Sequence, residues 1–545
     1  MLWKRWMVPV LGAVVAALLG GYLLVPAPAS ASMDCSTHTR TCAALPPLTV
    51  DGRFFALPDG RPFFWLGDTA WDLFTDLDRD EALHYLDTRA RQGFTVVQAA
   101  LIRPQVRTNR YGDAPYSGHL GRLLTTPGAD PADAAQYDYW DHVDFVVAAA
   151  AQRGLRVALA PVWADAQVGS LVTADNARAY GKFLGHRYAG APVVWLLGGN
   201  APAAGAEDVW RELAGGLRGG GSTALISYHP RSGQTSASWF HGDDWLGFDT
   251  IRGGECRRDE QHRAVVDDSG TAGPGALFTD AAGKPFVDAE CPDDPSGAAM
   301  TALDVRRGAY RAMLSGAAGT DYGRDPTETP GLDDSGAQQL GYLRGLVESR
   351  PRGVPEQGAL TGDAGSGVER IQAAIAGDGS SLLVYSAAGL DVEVDLDALS
   401  GDRVRPSWFD PRTGAVTELA TLPRRGRVLF RVPTGGGPDW VLVLDDVAAR
   451  YGRPGTGEFR GSSPEPGSVR AGDPSPTRGS SDESWSTADD DASSRTTWPG
   501  PVDLLPAPEP ATTAEPTTTA EPGRAALPAQ TPVPAPAPAA APVRA

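Results

Sequence analysis

The sequence predicts an α/β fold: a (β/α)8 TIM barrel, followed by a small antiparallel β-sandwich and a disordered tail. Three observations predict it. From about Val50 to Ser349, eight apolar strand-like runs alternate with helix-like segments. From about Gly358 to Asp446 the segments become short and alternating, with turn residues between them. After about Gly452 the chain turns to Ser, Thr, Pro, Asp and Glu and then to a Pro-Ala tract, too poor in apolar surface to offset the entropy of ordering. The divisions are 1–32 (signal peptide or anchor), 33–350 (barrel), 351–448 (sandwich) and 449–545 (tail).

Phe63–Gly67 is the first apolar run. Asp80–Gly93 reads as a helix, with Leu83, Leu86 and Ala90 on one face and Gly93 at its end. Thr95–Ile102 is apolar and β-branched, Tyr137–Arg153 is helical, and Leu155–Val162 is a buried strand. Asn176–Tyr188, Pro192–Leu197, Glu207–Leu217 and Thr223–Tyr228 continue the alternation. Phe248–Ile251, Pro285–Ala289 and Ala317–Tyr322 complete the strands, with helices at Asp304–Leu314 and Ala337–Glu348. Continuous apolar strands suit a parallel sheet covered on both faces. A doubly wound open sheet is the alternative, but no GxGxxG follows the first strand, so a dinucleotide site has no support. In the sandwich, Leu382–Ser386, Asp391–Leu396, Val404–Phe409, Arg427–Val432 and Trp440–Leu444 are the strands.

Charge and cysteine usage bound the function. Lys+Arg 48 against Asp+Glu 67 leaves a net charge of -19, which argues against nucleic-acid binding. Residues 1–32 read as an export signal: Lys4 and Arg5, an apolar run from Met7 to Val25, then Ala29-Ser30-Ala31 as a cleavage site. An uncleaved membrane anchor through residues 7–25 is the alternative. Both readings place the rest of the chain outside the cell or on its surface. There, Cys35 with Cys42 and Cys256 with Cys291 suggest two disulfides. Zinc is the competing reading, and no CxxC pair supports it. No metal or organic cofactor is implied.

In such a barrel the chemistry sits at the C-terminal ends of the strands. Those ends carry Asp68 and Trp71, Gln98 and Arg103, Trp163 and Asp165, Asn200, His229, Arg252 and Glu255, Glu290, and Asp321. Aromatic faces stack on sugar rings, and carboxylates bind hydroxyls or act as acid and base. Plainer readings compete: Asp68 as a helix cap, Trp71 and Trp163 as core, His229 as a loop residue, and Asp165 and Glu290 as surface charges. Glu290 stands out, because it ends an apolar strand.

Arg61-Pro62-Phe63-Phe64-Trp65-Leu66-Gly67-Asp68-Thr69-Ala70-Trp71 resembles the start of the apiosidase-like glycoside hydrolases. So do Val194–Gly199, Tyr228-His229-Pro230, Ser238-Trp239-Phe240-His241, Lys284–Glu290 and Tyr310–Gly323. The later β-domain resembles that family's companion module, which carries a collagen-binding label. The resemblance implies a barrel enzyme that hydrolyses glycans, with polysaccharide or oligosaccharide as substrate. In the characterised branch it releases apiose from a pectic side chain. It also implies Glu290 as one carboxylate and an Asp after the paired glycines as general acid. Here Asn200 stands at that second position, and an amide has no such proton to give.

Glu255 is the candidate substitute. Glu255 and Glu290 directly precede Cys256 and Cys291, and bridged cysteines hold their Cα atoms about 4.4–6.8 Å apart. The expected site is therefore Glu290 and Glu255 as catalytic pair, with Asp68, Trp71, Gln98, Trp163, Asp165, Asn200, His229 and Trp239 binding substrate. A carbohydrate-binding surface protein that lost the acid is the alternative, and a structural protein of the cell envelope is a third reading.

Overall fold

The computed structural model describes residues 45–103, 107–163, 168–231, 234–252, 283–289, 301–323, 335–362, 364–365, 370–435 and 437–456. The leader, all four cysteines, Asp165, Glu255, Glu290 and the tail beyond 456 lie outside the described residues, while 449–456, expected as the start of the disordered tail, follow the sandwich as ordered turns, with Gly452 O accepting from Arg350 at 2.9 Å. Among the described residues no helix is long and apolar enough to cross a membrane.

Eight parallel strands form the barrel: β1 (Trp65–Thr69), β2 (Val96–Ala100), β3 (Arg156–Ala160), β4 (Val193–Leu197), β5 (Ile226–Tyr228), β6 (Asp249–Arg252), β7 (Phe286–Asp288) and β8 (Gly319–Tyr322). Ladder pairing runs unbroken from β5 back through β1 to β8, β7 and β6. The remaining seam closes between β5 and β6. There Gly247 N donates to Ile226 O at 2.8 Å, and Ser227 Oγ donates to Phe248 O at 2.7 Å. The ring is therefore a cylinder and not a doubly wound open sheet.

Helices α1 (Arg79–Arg91), α2 (Tyr139–Gln152), α3 (Ala174–Arg187), α4 (Glu207–Gly219), α5 (Ala302–Leu314) and α6 (Ser335–Glu348) pack outside. α1 starts in a reciprocal capping box between Asp78 and Glu81, a feature that contributes about 1 kcal/mol. Strands and helices begin and end within a few residues of the positions that periodicity predicts. A three-stranded meander over Thr49–Asp51, Phe54–Ala56 and Pro62–Phe63 has no counterpart in the expectations. It lies ahead of β1, and its Phe55 and Phe63 join the barrel's interior cluster.

Side-chain parity along each strand decides which residues reach the interior. Trp65, Trp71, Val96, Ala100, Ala158, Val194, Leu196, Phe248 and Val287 share the inner cluster. Leu66, Ala70, Val97, Ala99, Trp195, Leu197, Ile226, Tyr228 and Ile251 share the outer one, beneath the helices.

The second domain has a large antiparallel sheet in the order Gly353–Pro355, β9 (Ile371–Ala376), β10 (Ser381–Ser386), β14 (Trp440–Asp446), β12 (Arg403–Phe409). The short strands Val416–Glu418 and Leu422–Pro423 both pair with β12. A ribbon of β11 (Val392–Asp395) and β13 (Arg427–Phe430) packs over it, with Trp408, Leu442, Val392 and Phe430 in the shared core.

This domain is fastened to the barrel. Arg306 of α5 makes a two-pronged pair with Asp439, both bonds at 2.8 Å, and Tyr385 donates to the same carboxylate at 3.0 Å. Arg350 pairs in the same way with Asp445 at 2.8 and 2.7 Å. Tyr310 and Tyr385 stack across the seam with ring centroids 4.7 Å apart.

Candidate active site

Inner parity brings a compact aromatic group to the mouth. Trp71 and Trp163 lie with ring centroids 4.2 Å apart, and His229 meets them at 5.3 and 5.6 Å. Trp71 follows β1, Trp163 follows β3 and His229 follows β5, so three sequence-distant strand ends build one wall. Gln98, on the inner face of β2, is paired in register with Thr69 of β1. Four of the predicted residues therefore share the mouth: Trp71, Gln98, Trp163 and His229.

Several polar atoms here are buried. Among the described residues, both ring nitrogens of His229, Oε1 of Gln98 and Oγ1 of Thr69 have no hydrogen-bond partner. A buried polar atom without a partner costs free energy that a bound hydroxyl or water recovers. Burial, and then the charge of nearby Arg252, pulls the His229 pKa well below its ordinary value. The ring is thus neutral, with one donor and one acceptor to offer.

Asn200 follows β4 on a loop of three successive left-handed residues: Gly198 at φ 94°, Gly199 at 71° and Asn200 at 65°. Only glycine fits the first. A Cβ on Gly198 would stand 2.6 Å from His229 O and 2.7 Å from the Tyr228 ring. Asn tolerates the left-handed region better than most residues. The turn aims the Asn200 amide at β6, where its Oδ1 accepts from Arg252 Nη1. Arg252 belongs to the inner set with Thr250, since Phe248 faces inward and Ile251 outward. It was named at the sixth strand end but not among the predicted substrate contacts. Arg103, named at the second strand end but not among the predicted substrate contacts, is a further neighbour, paired with Asp72 at 2.8 Å and 5.3 Å from the Trp163 ring.

Two expectations are corrected. Asp68 shares parity with Leu66 and Ala70 and turns away from the mouth into the helix layer. Its Oδ2 accepts from Tyr85 Oη at 2.5 Å and Arg89 Nε at 2.6 Å, both on α1. It neither caps a helix nor lines the mouth. Trp239 packs on the outer layer against Tyr228, with centroids 5.9 Å apart, rather than with Trp71 and Trp163.

Ala289 N donates to Ile251 O at 2.8 Å, so β7 and β6 deliver the chain side by side to the mouth end of the barrel. Among the described residues no group of His, Cys, Asp and Glu is arranged to hold a metal ion.

Comparison with known proteins gives consistent results. A family profile described as "Apiosidase-like, catalytic domain" matches residues 49–352. A second, described as "Putative collagen-binding domain of a collagenase", matches residues 354–445. A solved structure described as a glycoside hydrolase is 28% identical, covers 74% of this chain and 97% of its own, and superposes with a TM-score of 0.65. A structure described as a glycoside hydrolase family 5 protein from Bacteroides vulgatus is also 28% identical, over 76% of this chain and 96% of its own, with a TM-score of 0.66. No curated protein matches the chain.

Proposed function

The chain belongs to the apiosidase-like family, and from that premise we propose that it is an exported glycosidase. It hydrolyses O-glycosidic bonds of plant or microbial polysaccharide by carboxylate catalysis. The observation that carries this reading is the mouth itself: two tryptophans around a neutral His229 that, like Gln98 Oε1 and Thr69 Oγ1, has no hydrogen-bond partner among the described residues. Indole faces receive the C–H face of a sugar, and the buried polar atoms receive its hydroxyls. Glycoside hydrolases of similar architecture, 28% identical over about three-quarters of the chain, support the same reaction class.

In this reading Glu290, next after Ala289, is the nucleophile or base, and Glu255, three residues beyond Arg252, is the acid. Two close carboxyls raise the pKa of one of them, which suits proton donation. Asp165, two residues beyond Trp163, adds a hydroxyl contact.

The test is sugar release from a panel of pectic and furanosidic oligosaccharides, measured as new reducing ends. Wild-type chain releases sugar; Glu290→Gln and Glu255→Gln each lose about 10²–10⁴-fold. Unchanged turnover in Glu290→Gln removes the assignment.

A second reading is binding without turnover. Asn200 favours it, because the position that carries the acid in the family holds an amide engaged by Arg252. Saturable oligosaccharide binding with no release across the panel selects it.

A further inference from the structure

The opposite end of the barrel holds a cavity of about 330 Å³. Its walls are the meander before β1, the last turn of α6 and the Pro351-Arg352 linker that follows. The size lies at the low end for small-molecule sites. Phe54, Leu57, Phe63 and Val347 make much of the wall apolar.

Three arginines on this wall are committed to carboxylates. Arg344 pairs with Glu348 at 2.9 Å, Arg350 with Asp445 at 2.7 Å, and Arg61 with Asp59 at 2.7 Å. Arg352 differs. It donates to the carbonyl oxygens of Phe63 and, at 3.4 Å, Ala318, and it lies 5.1 Å from the Phe54 ring and 5.8 Å from the Phe64 ring. No carboxylate reaches it among the described residues. A guanidinium has five N–H donors, so two carbonyls leave part of the fork for a ligand. Burial lowers its pKa to about 10, with Glu348 opposing, and it stays cationic at neutral pH. A partly desolvated cation with only neutral acceptors favours an incoming anion.

We propose that this cavity binds a small aromatic monocarboxylate, with the carboxylate on the Arg352 fork and the ring among Phe54, Phe63 and Val347. Asp51 and Glu348 on the same wall oppose a dianion such as phosphate. The carbonyl partners of Arg352 belong to residues just ahead of β1 and β8, at the end of the strands away from His229, so the site does not depend on the reading of the mouth.

The experiment is calorimetric titration of the full chain with benzoate, 4-hydroxycinnamate, the uncharged alcohol of the latter, and inorganic phosphate. Saturable 1:1 binding of a carboxylate is expected, weaker by about tenfold or more for the alcohol and for Arg352→Gln. Phosphate binds more weakly than either carboxylate. Arg352→Gln also removes two carbonyl contacts, so Leu57→Trp is the second variant: it keeps Arg352, fills the cavity, and is expected to abolish binding without lowering Tm. No carboxylate binding, equal affinity for the alcohol, stronger binding of phosphate, or full affinity in Leu57→Trp overturns the proposal.

Discussion

Asp68 and Arg89 meet at 2.6 Å in the layer between barrel and helices, with side chains 0% and 2% exposed. The pair ties the end of β1 to α1, three residues before Trp71 enters the mouth. Burial alone would lower the Arg89 pKa, but Asp68 together with the Tyr85 and Tyr322 hydroxyls outweighs this and raises it, so the guanidinium stays charged. Removing one partner strands the other. Arg89→Ala is expected to lose about 3–5 kcal/mol in urea unfolding. Asp68→Asn is expected to lose stability while the folded protein still binds sugar. Lost binding at unchanged stability would return Asp68 to the mouth.

The seam between domains makes a similar prediction at longer range. Asp439 and Asp445 lie on or just before the last strand of the sandwich, 0% and 1% exposed, and each holds an arginine of the barrel. Asp439→Ala or Asp445→Ala is expected to cost about 3–5 kcal/mol. Wild-type residues 45–456 are expected to unfold in one calorimetric transition, and two resolved transitions would show that the domains fold separately.

Gly198 and Gly205 separate steric demand from backbone strain. Both have positive φ, 94° and 80°, but a Cβ on Gly205 meets nothing within 4 Å. Gly205→Ala is expected to cost about 1–2 kcal/mol of left-handed strain. Gly198→Ala adds collisions with His229 O and the Tyr228 ring and should cost more. It should also weaken sugar binding, since it displaces the residue carrying the imidazole; equal losses in the two variants would contradict this.

Asn200→Asp alone is expected to add little acid catalysis to that of Glu255. Arg252 Nη1 already donates to the Asn200 side chain, and a carboxylate there would be held ionised at a lowered pKa. The double variant Asn200→Asp/Arg252→Gln should gain activity on the acidic side of neutral. A full gain from the single substitution, read from kcat against pH, would argue against Arg252 control.

The buried histidines set a pH dependence of stability. Burial lowers His142 from 6.5 to about 4, and His229 also lies well below 6.5. The unfolded chain then binds protons that the folded chain does not. Their contribution is present above about 6.5 and is lost as pH falls toward the folded values. From His142 the loss is up to about 1.4 kcal/mol per pH unit between about pH 6.5 and 4. His142→Gln should flatten that limb of the urea-derived stability curve, and an unchanged slope would refute the assignment.

The element order was legible because burial periodicity is local. Strand runs such as Leu155–Val162, helices such as Asp80–Gly93 with its closing glycine, and the change to short alternating strands after Gly358 all signal within a dozen residues or so. The clustering of Trp, His and Gln at strand ends was legible for the same reason: barrel topology places all those ends on one rim.

What the sequence by itself determined is therefore the order of elements and the presence of Trp71, Gln98, Trp163 and His229 at strand ends. Tertiary structure decided which way each side chain points and what it meets. A parallel strand buried on both faces is apolar throughout, so its pattern does not reveal parity. Asp68 and Arg252 look equivalent in the sequence; only the closed cylinder turns one toward Arg89 and the other toward Asn200. The same holds for Arg352, whose acceptors at Phe63 and Ala318 are distant in the chain, since contacts of that separation leave no local trace.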